Sequence, residues 1–227
     1  MTAPVTLQRP IAAMILAAGR GERMRPLTDA VPKPLLAVRG RPLIEHHVRA
    51  CASAGITRIV INLSWLGSQI RDHLGDGGRY GVSILYSDEQ AHPLETAGGI
   101  FRALPLLMPG PFALINGDVF SDYPFERLGV EAAADAHLVL VPNPPQHARG
   151  DFGLVDGFAV PQSAVQFTYA GMAVFRTSFF DGCTAGSFPL KPLLLRSMNA
   201  GRCAAEVYEG LWEDVGTPER WQALNRG

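Results

Sequence analysis

Three stretches of this 227-residue chain carry side chains that could do chemistry together. The first is Leu16-Ala17-Ala18-Gly19-Arg20-Gly21-Glu22-Arg23-Met24-Arg25-Pro26-Leu27-Thr28, followed closely by Pro32-Lys33-Pro34-Leu35. Ala17, Ala18, Gly19 and Gly21 carry little or no side chain, so backbone N–H groups can approach phosphate oxygens. Arg25 and Lys33 then add fixed positive charge suited to a triphosphate. The second stretch, Asn116-Gly117-Asp118, and the third, Trp212-Glu213-Asp214-Val215-Gly216-Thr217, each offer a carboxylate before a turn. Mg²⁺ is a hard cation held by one or two carboxylates plus substrate phosphates, which makes Asp118 and Asp214 candidate metal ligands. Taken singly, each acid suits a turn or a helix cap equally well.

Other phosphate loops fit less well. A Walker A loop needs Lys-Ser or Lys-Thr after its last glycine, and no such pair stands at that spacing. A dinucleotide fingerprint needs a third glycine where Met24 stands, and an acid closing a second strand near Asn62–Leu63. A bare turn accounts for two glycines but not for the cations that follow. His46, His47 and His73 lack metal-ligand spacing and read as surface or core histidines.

A further group of residues has the chemistry to hold a base and a polyol. In Gln90-Ala91-His92-Pro93-Leu94-Glu95-Thr96-Ala97-Gly98-Gly99, the Gln90 amide donates and accepts at once, which matches the N3–H and carbonyl edge of a pyrimidine. Thr96 is placed to cap a helix, and the small Ala97–Gly99 run, Gly98 above all, permits close ligand approach. Glu95 carries a carboxylate that either binds hydroxyls or faces solvent. Arg149-Gly150-Asp151-Phe152 and Phe167-Thr168-Tyr169-Ala170-Gly171 read as turn residues around short strands.

The elements that must position these residues alternate. Apolar runs at 11–16, 58–63, 83–86, 112–116 and 136–141 predict strands; amphipathic stretches at 42–54, 66–74 and 96–107 predict helices between them. Pro42 reads as the first helical residue of the earliest of these. Beyond Val141 come a Pro-rich loop at 143–147, shorter strands at 152–155 and 165–175, and helices at 190–200 and 218–225. Strand, helix, strand repeated implies an α/β, Rossmann-like, mostly parallel central sheet with helices on both faces. In such a sheet ligands bind beyond the carboxyl ends of the strands, where the glycine loop and Asp118 fall. The chain reads as a single domain over 1–227, with 1–10 a flexible N-terminal extension and about 142–227 a small C-terminal lobe.

Composition narrows the function classes. Nearly half the residues are apolar, at 47%, while the formal net charge is only −1, which argues against a nucleic-acid partner. The apolar run at 11–18 is too short to span a bilayer, so no membrane association is expected. Cys51, Cys183 and Cys203 share no C-x-x-C spacing, which points away from zinc or a disulfide framework and toward a reducing cytoplasm.

The string L-A-A-G-x-G-x-R-M-x-P-L-T with P-K-P-L after it resembles the signature of the sugar-1-phosphate nucleotidyltransferase family. The resemblance extends over roughly residues 11–224 and implies an enzyme that joins a nucleoside triphosphate to a sugar 1-phosphate with Mg²⁺. It implies that the backbone from Leu16 through Ala17, Ala18, Gly19 and Gly21 wraps the phosphates, that Arg25 holds the β and γ phosphates, and that Lys33 works near the reacting centre. It also implies Asp118 and Asp214 as metal acids, Gln90 and Gly98 at the nucleobase, and Glu95, Asn116, Asp151, Gly171 and Arg149 at the sugar. The combination N-G-D-V, L-E-T-A-G-G, H-x-R-G-D-F, F-T-x-x-G and W-x-D-V-G-T is similar to members of bacterial cell-wall recycling, favouring UTP with N-acetylmuramate 1-phosphate. In that case the lactyl carboxylate wants a cation, for which Arg149 is placed by position, whereas Lys191 stands off the related register. Guanylyl transfer to mannose 1-phosphate, thymidylyl or uridylyl transfer to glucose 1-phosphate, and a non-catalytic nucleotide-sugar binding module are the alternatives. A monomer or small homo-oligomer is expected.

Overall fold

The computed structural model describes residues 7–89 and 94–226. Alternating burial organises its sheet. In Ala12–Leu16, Ala13 and Ile15 enter one core while Ala12 and Met14 enter the other; Ile59 and Ile61 oppose Val60 in Arg58–Leu63 in the same way. Strands buried on both faces require helices on both. α1 (Leu43–Ser53) and α2 (Gly67–Leu74) cover one face through Ile44, Val48, Cys51, Ile70 and Leu74. α3 (Glu95–Ala103) and α4 (Lys191–Asn199) cover the other through Ile100, Ala103, Leu194 and Met198. α5 (Pro218–Arg226) docks Leu224 into a smaller cluster with Met24, Val38, Leu43, Phe120 and Val215.

One nine-stranded sheet runs through the molecule. Ser83–Asp88, Arg58–Leu63, Ala12–Leu16 and Pro111–Asn116 lie side by side, all parallel. Gln166–Arg176 then joins Pro111–Asn116 antiparallel. Beyond it Phe152–Val155, Phe158–Val160, Cys203–Val207 and Ala136–Val141 complete the sheet, so the C-terminal third extends the same sheet. Register brings Leu16 level with both Asn62 and Asn116 and Leu63 level with Asp88, so four strands end along one edge.

Several details depart from the sequence reading. Leu7 and Gln8, expected within a flexible extension, pair with Glu131 and Val130. Pro42 is the N-cap of α1, and Leu43 is its first residue. α3 starts at Glu95 in the left-handed region (φ 55°), so Thr96 lies within the helix and does not cap it. Two three-residue strands, Val119–Ser121 and Trp212–Asp214, pair antiparallel. They are too short to carry a period that a sequence scan detects. No helix among the described residues is long and apolar enough to cross a membrane.

Candidate active site

The glycine loop leaves the Ala12–Leu16 strand into a cleft at the carboxyl edge of the sheet. Its start is tied down by buried polar groups: the Ala17 N–H donates to Asn62 Oδ1 at 2.7 Å, and Asn62 Nδ2 donates to Glu89 Oε1 at 2.6 Å. Asn62 and Glu89 are only 4% and 5% exposed, so breaking this chain would strand buried polar atoms. Neither residue stands out in the sequence: Asn62 lies near the end of its strand, and Glu89 follows the end of the next. Gly21 is left-handed (φ 65°), and a Cβ there would lie 3.0 Å from the Thr28 methyl; Thr28 Oγ1 also donates to the Gly21 carbonyl at 2.8 Å. At Gly19 a Cβ would meet nothing within 4 Å, because this part of the loop faces the open cleft. Leu16, Ala18 and Gly19 line the cleft beside Asn62, Glu89 and Glu95.

The cations divide. Lys33, 7% exposed, reaches Asp118 with Nζ 2.6 Å from Oδ2. It shares a cavity of about 310 Å³ with Ala17, Gly19, Gly21, Arg23 and Asp118. Arg25 is not in that cavity: its side chain is 55% exposed, with Nε 3.1 Å from Asp29 Oδ1. The reason is local. Met24 is fully buried as the anchor of the short turn Glu22–Met24, and the chain leaves it toward solvent at Arg25, whereas Arg23 faces the cleft. The arginine that shares a cavity with Asp118 is therefore Arg23. Two arginines flanking one apolar anchor look equivalent in sequence, and only the backbone after Met24 separates them. Arg20 stacks over the Trp65 ring at 4.6 Å, at the outer rim.

The acids come from segments far apart in sequence. Gly117 is needed where the chain passes Leu16: its N–H donates to the Leu16 carbonyl at 2.9 Å, and a Cβ would sit 2.4 Å from that oxygen. Asp118 follows, and the Val119–Ser121 pairing sets Asp214 opposite Val119, with the Val215 N–H donating to the Asp118 carbonyl at 2.9 Å. Asp118 and Asp214 line one cavity together with Arg23, Asn116 and Gly171. Each carboxylate engages a cation through Oδ2, Asp118 with Lys33 and Asp214 with Arg220 Nη1 at 2.9 Å, and among the described residues neither Oδ1 has a hydrogen-bond or ion-pair partner. Among the described residues no three His, Cys, Asp or Glu side chains cluster as a protein-only cage. Two carboxylates lining a phosphate-sized cleft are instead the donor set that suits Mg²⁺ sharing substrate oxygens. Behind the acids, His47 of α1 is buried, and burial above all pushes its pKa down to about 4, so it packs there as a neutral ring.

The far end of the cleft is built around Asn116. Gly171 is left-handed (φ 72°), and a Cβ there would lie 2.7 Å from Asn116 Nδ2, so only glycine lets the amide rest against that strand. Asp151 spends its carboxylate on the loop: Oδ2 accepts the Tyr169 N–H at 2.9 Å, and Oδ1 lies 3.1 Å from His147 Nε2. It lines a second cavity, of about 320 Å³, with Thr96, Asn116, Tyr169 and Lys191. Arg149, expected here, is exposed and lines none of these cavities, since the turn before Gly150 carries its side chain outward. Lys191, which the register set aside, is the lysine that lines this end. Gly98 also leaves the site: its N–H donates to the Phe188 carbonyl at 3.1 Å, and a Cβ would lie 2.3 Å from the Gly186 carbonyl oxygen. Its smallness serves the packing of α3 against residues 186–188. Glu95 does line the cleft, with Thr96 and Leu16. Gln90 lies outside the described residues.

Comparison with known proteins gives consistent results. Residues 12–168 match the profile of the family described as nucleotidyl transferase. The chain is 50% identical, over 90% of its length and 93% of the relative's, to the N-acetylmuramate alpha-1-phosphate uridylyltransferase of Neisseria meningitidis serogroup B. It is 34% identical to the protein of the same name from Caulobacter vibrioides, over 93% and 94% of the two chains. Among solved structures, HddC from Yersinia pseudotuberculosis complexed with GMP-PN superposes with a TM-score of 0.77 at 20% identity, covering 95% of this chain and 98% of that one.

Proposed function

We propose that this chain, which belongs to the nucleotidyl transferase family, joins UTP to N-acetylmuramate α-1-phosphate and releases pyrophosphate. The observation that carries the reading is the meeting of Arg23, Lys33, Asp118 and Asp214 on one cleft, in a chain half identical to a uridylyltransferase of that substrate.

The chemistry follows from the parts. A sugar phosphate is already anionic at neutral pH, so its oxygen attacks the α-phosphorus without a general base, and pyrophosphate leaves on the opposite side. What the protein must supply is alignment and charge. The open N–H groups around Gly19 and Gly21 receive the polyphosphate. Arg23 and Lys33 offset its negative charge, and Lys33, already held on Asp118, is poised near the α-phosphate. Asp118 and Asp214 would hold Mg²⁺, which when bound withdraws charge from phosphate oxygens. Asn116 and Gly171 seat the sugar beside them. The Gln90 amide remains our candidate for the uracil edge. A cytoplasmic setting, where UTP is made, belongs to the same proposal.

Pyrophosphate release measured across UTP, dTTP and GTP, each with N-acetylmuramate, N-acetylglucosamine, glucose and mannose 1-phosphates, tests the reading. The UTP and N-acetylmuramate pair should give the highest kcat/KM. dTTP should follow at roughly a tenth or less, since a single methyl in a fitted pocket is worth about 1–3 kcal/mol. A preference for GTP with mannose 1-phosphate overturns the substrate assignment.

A further inference from the structure

The group that separates N-acetylmuramate from N-acetylglucosamine is a lactyl ether, which brings one methyl and one carboxylate. A pocket that selects for it needs an apolar wall and one available cation, next to the place where the sugar ring sits. The cavity between Asn116 and α4 has that make-up. Phe152, Tyr169, Leu190 and Leu194 form its apolar wall, and Asn116, which also lines the cavity holding Asp118 and Gly171, connects it to the reacting end.

Two charged groups reach this cavity. The Asp151 carboxylate is already engaged by His147 and the Tyr169 N–H. Lys191 is the other: among the described residues its ammonium takes part in no ion pair. It is the first residue of the nine-residue helix α4, and Leu190 before it makes no side-chain cap, so the positive end of the helix dipole adds to the ammonium charge.

We propose that Lys191 is the specificity-determining residue for the acidic substituent of the sugar, receiving its carboxylate in the cavity between Asn116 and α4. The inference rests on the substrate reading above and goes beyond it by naming how an acidic sugar is told from a neutral one.

The experiment compares Lys191→Met, Lys191→Glu and Lys191→Arg at saturating UTP, with N-acetylmuramate 1-phosphate and N-acetylglucosamine 1-phosphate as paired substrates. The readout is the ratio of the two kcat/KM values, which cancels any general loss of folded enzyme. Losing one charge-assisted contact should lower the ratio about 10- to 100-fold in Lys191→Met, through KM for the acidic sugar. Lys191→Glu should lower it further and Lys191→Arg should recover most of it. The exposed Arg149, changed to Ala, should leave the ratio unaltered. A Lys191→Met enzyme that keeps the wild-type ratio overturns the assignment of Lys191 while leaving the substrate reading intact. A wild-type enzyme that does not turn over N-acetylmuramate 1-phosphate overturns both.

Discussion

The phosphate end of the cleft and its sugar end are built by different means. At the phosphate end, backbone is fixed by short polar ties and tight contacts: Asn62 and Glu89 under Ala17, Thr28 on Gly21, Gly117 against Leu16. Its two acids are paired in advance, Asp118 with Lys33 and Asp214 with Arg220. The sugar end is assembled from a loop and the start of a helix, where Asp151 organises its own loop and Lys191 has no ion-pair partner among the described residues. A rigid, pre-paired end suits the step that must be electrostatically preorganised. A looser end, with a lysine and apolar walls, suits discrimination between sugars that differ by a single substituent.

The largest expected effects probe the phosphate end. Asp118→Asn or Asp214→Asn should each lower kcat by about a hundredfold or more at saturating Mg²⁺, the scale of losing one strong transition-state stabiliser. Full activity in either variant would remove that residue from the site. The two arginines come next. Arg23→Ala should cost about tenfold to a hundredfold in kcat/KM for UTP, as expected for one charged contact, whereas Arg25→Ala, paired with Asp29 in solvent, should cost no more than about twofold. The reverse order would return the triphosphate to Arg25 and break the contrast drawn here.

Packing gives a smaller and different signature. Gly98→Ala forces a Cβ onto the Gly186 carbonyl, so thermal unfolding should show a loss of about 1–3 kcal/mol while activity per folded molecule persists. If KM for UTP rose instead, Gly98 would belong at the nucleotide after all. The smallest effect lies off the cleft. Arg202 binds Asp135 with both nitrogens 2.6 Å from its oxygens and holds that carboxyl below its usual value. A depressed carboxyl stabilises the fold above its unfolded pKa and loses that contribution as pH falls through the folded value. Asp135→Asn should therefore lower Tm slightly at pH 7, lower it by less near pH 3, and spare kcat. An equal Tm loss at both pH values would mean that packing, not charge, is at stake.

The same contrast explains how much was legible in sequence. The parallel strands and α1–α4 follow from apolar period, and the Lys33, Asp118 and Asp214 side chains stand where strand ends and turns must fall. Arg25 was preferred over Arg23 because nothing in the residue order reveals that Met24 is the buried anchor. Gly98 looked like a ligand contact because a glycine opposite a carbonyl 88 residues along the chain, Gly186, leaves no local trace. Arg149 is exposed and Lys191 lines the cavity beside α4 for a related reason. Arg149 lies in a turn and Lys191 opens α4, and side-chain direction at both depends on tertiary packing that periodicity does not encode. Asn62 and Glu89 carry no motif at all, since the hydrogen bonds of their side chains among the described residues run to each other and to one backbone N–H.

The central claim is that one cleft transfers uridylyl from UTP to an acidic sugar 1-phosphate. The most direct measurement is the mass of the products formed by the purified chain from UTP, N-acetylmuramate α-1-phosphate and Mg²⁺. The products should be UDP-N-acetylmuramate and pyrophosphate in equal amounts, with formation all but abolished in Asp118→Asn. Pyrophosphate without a UDP-sugar, or no product here alongside rapid formation of GDP-mannose from GTP and mannose 1-phosphate, would contradict it.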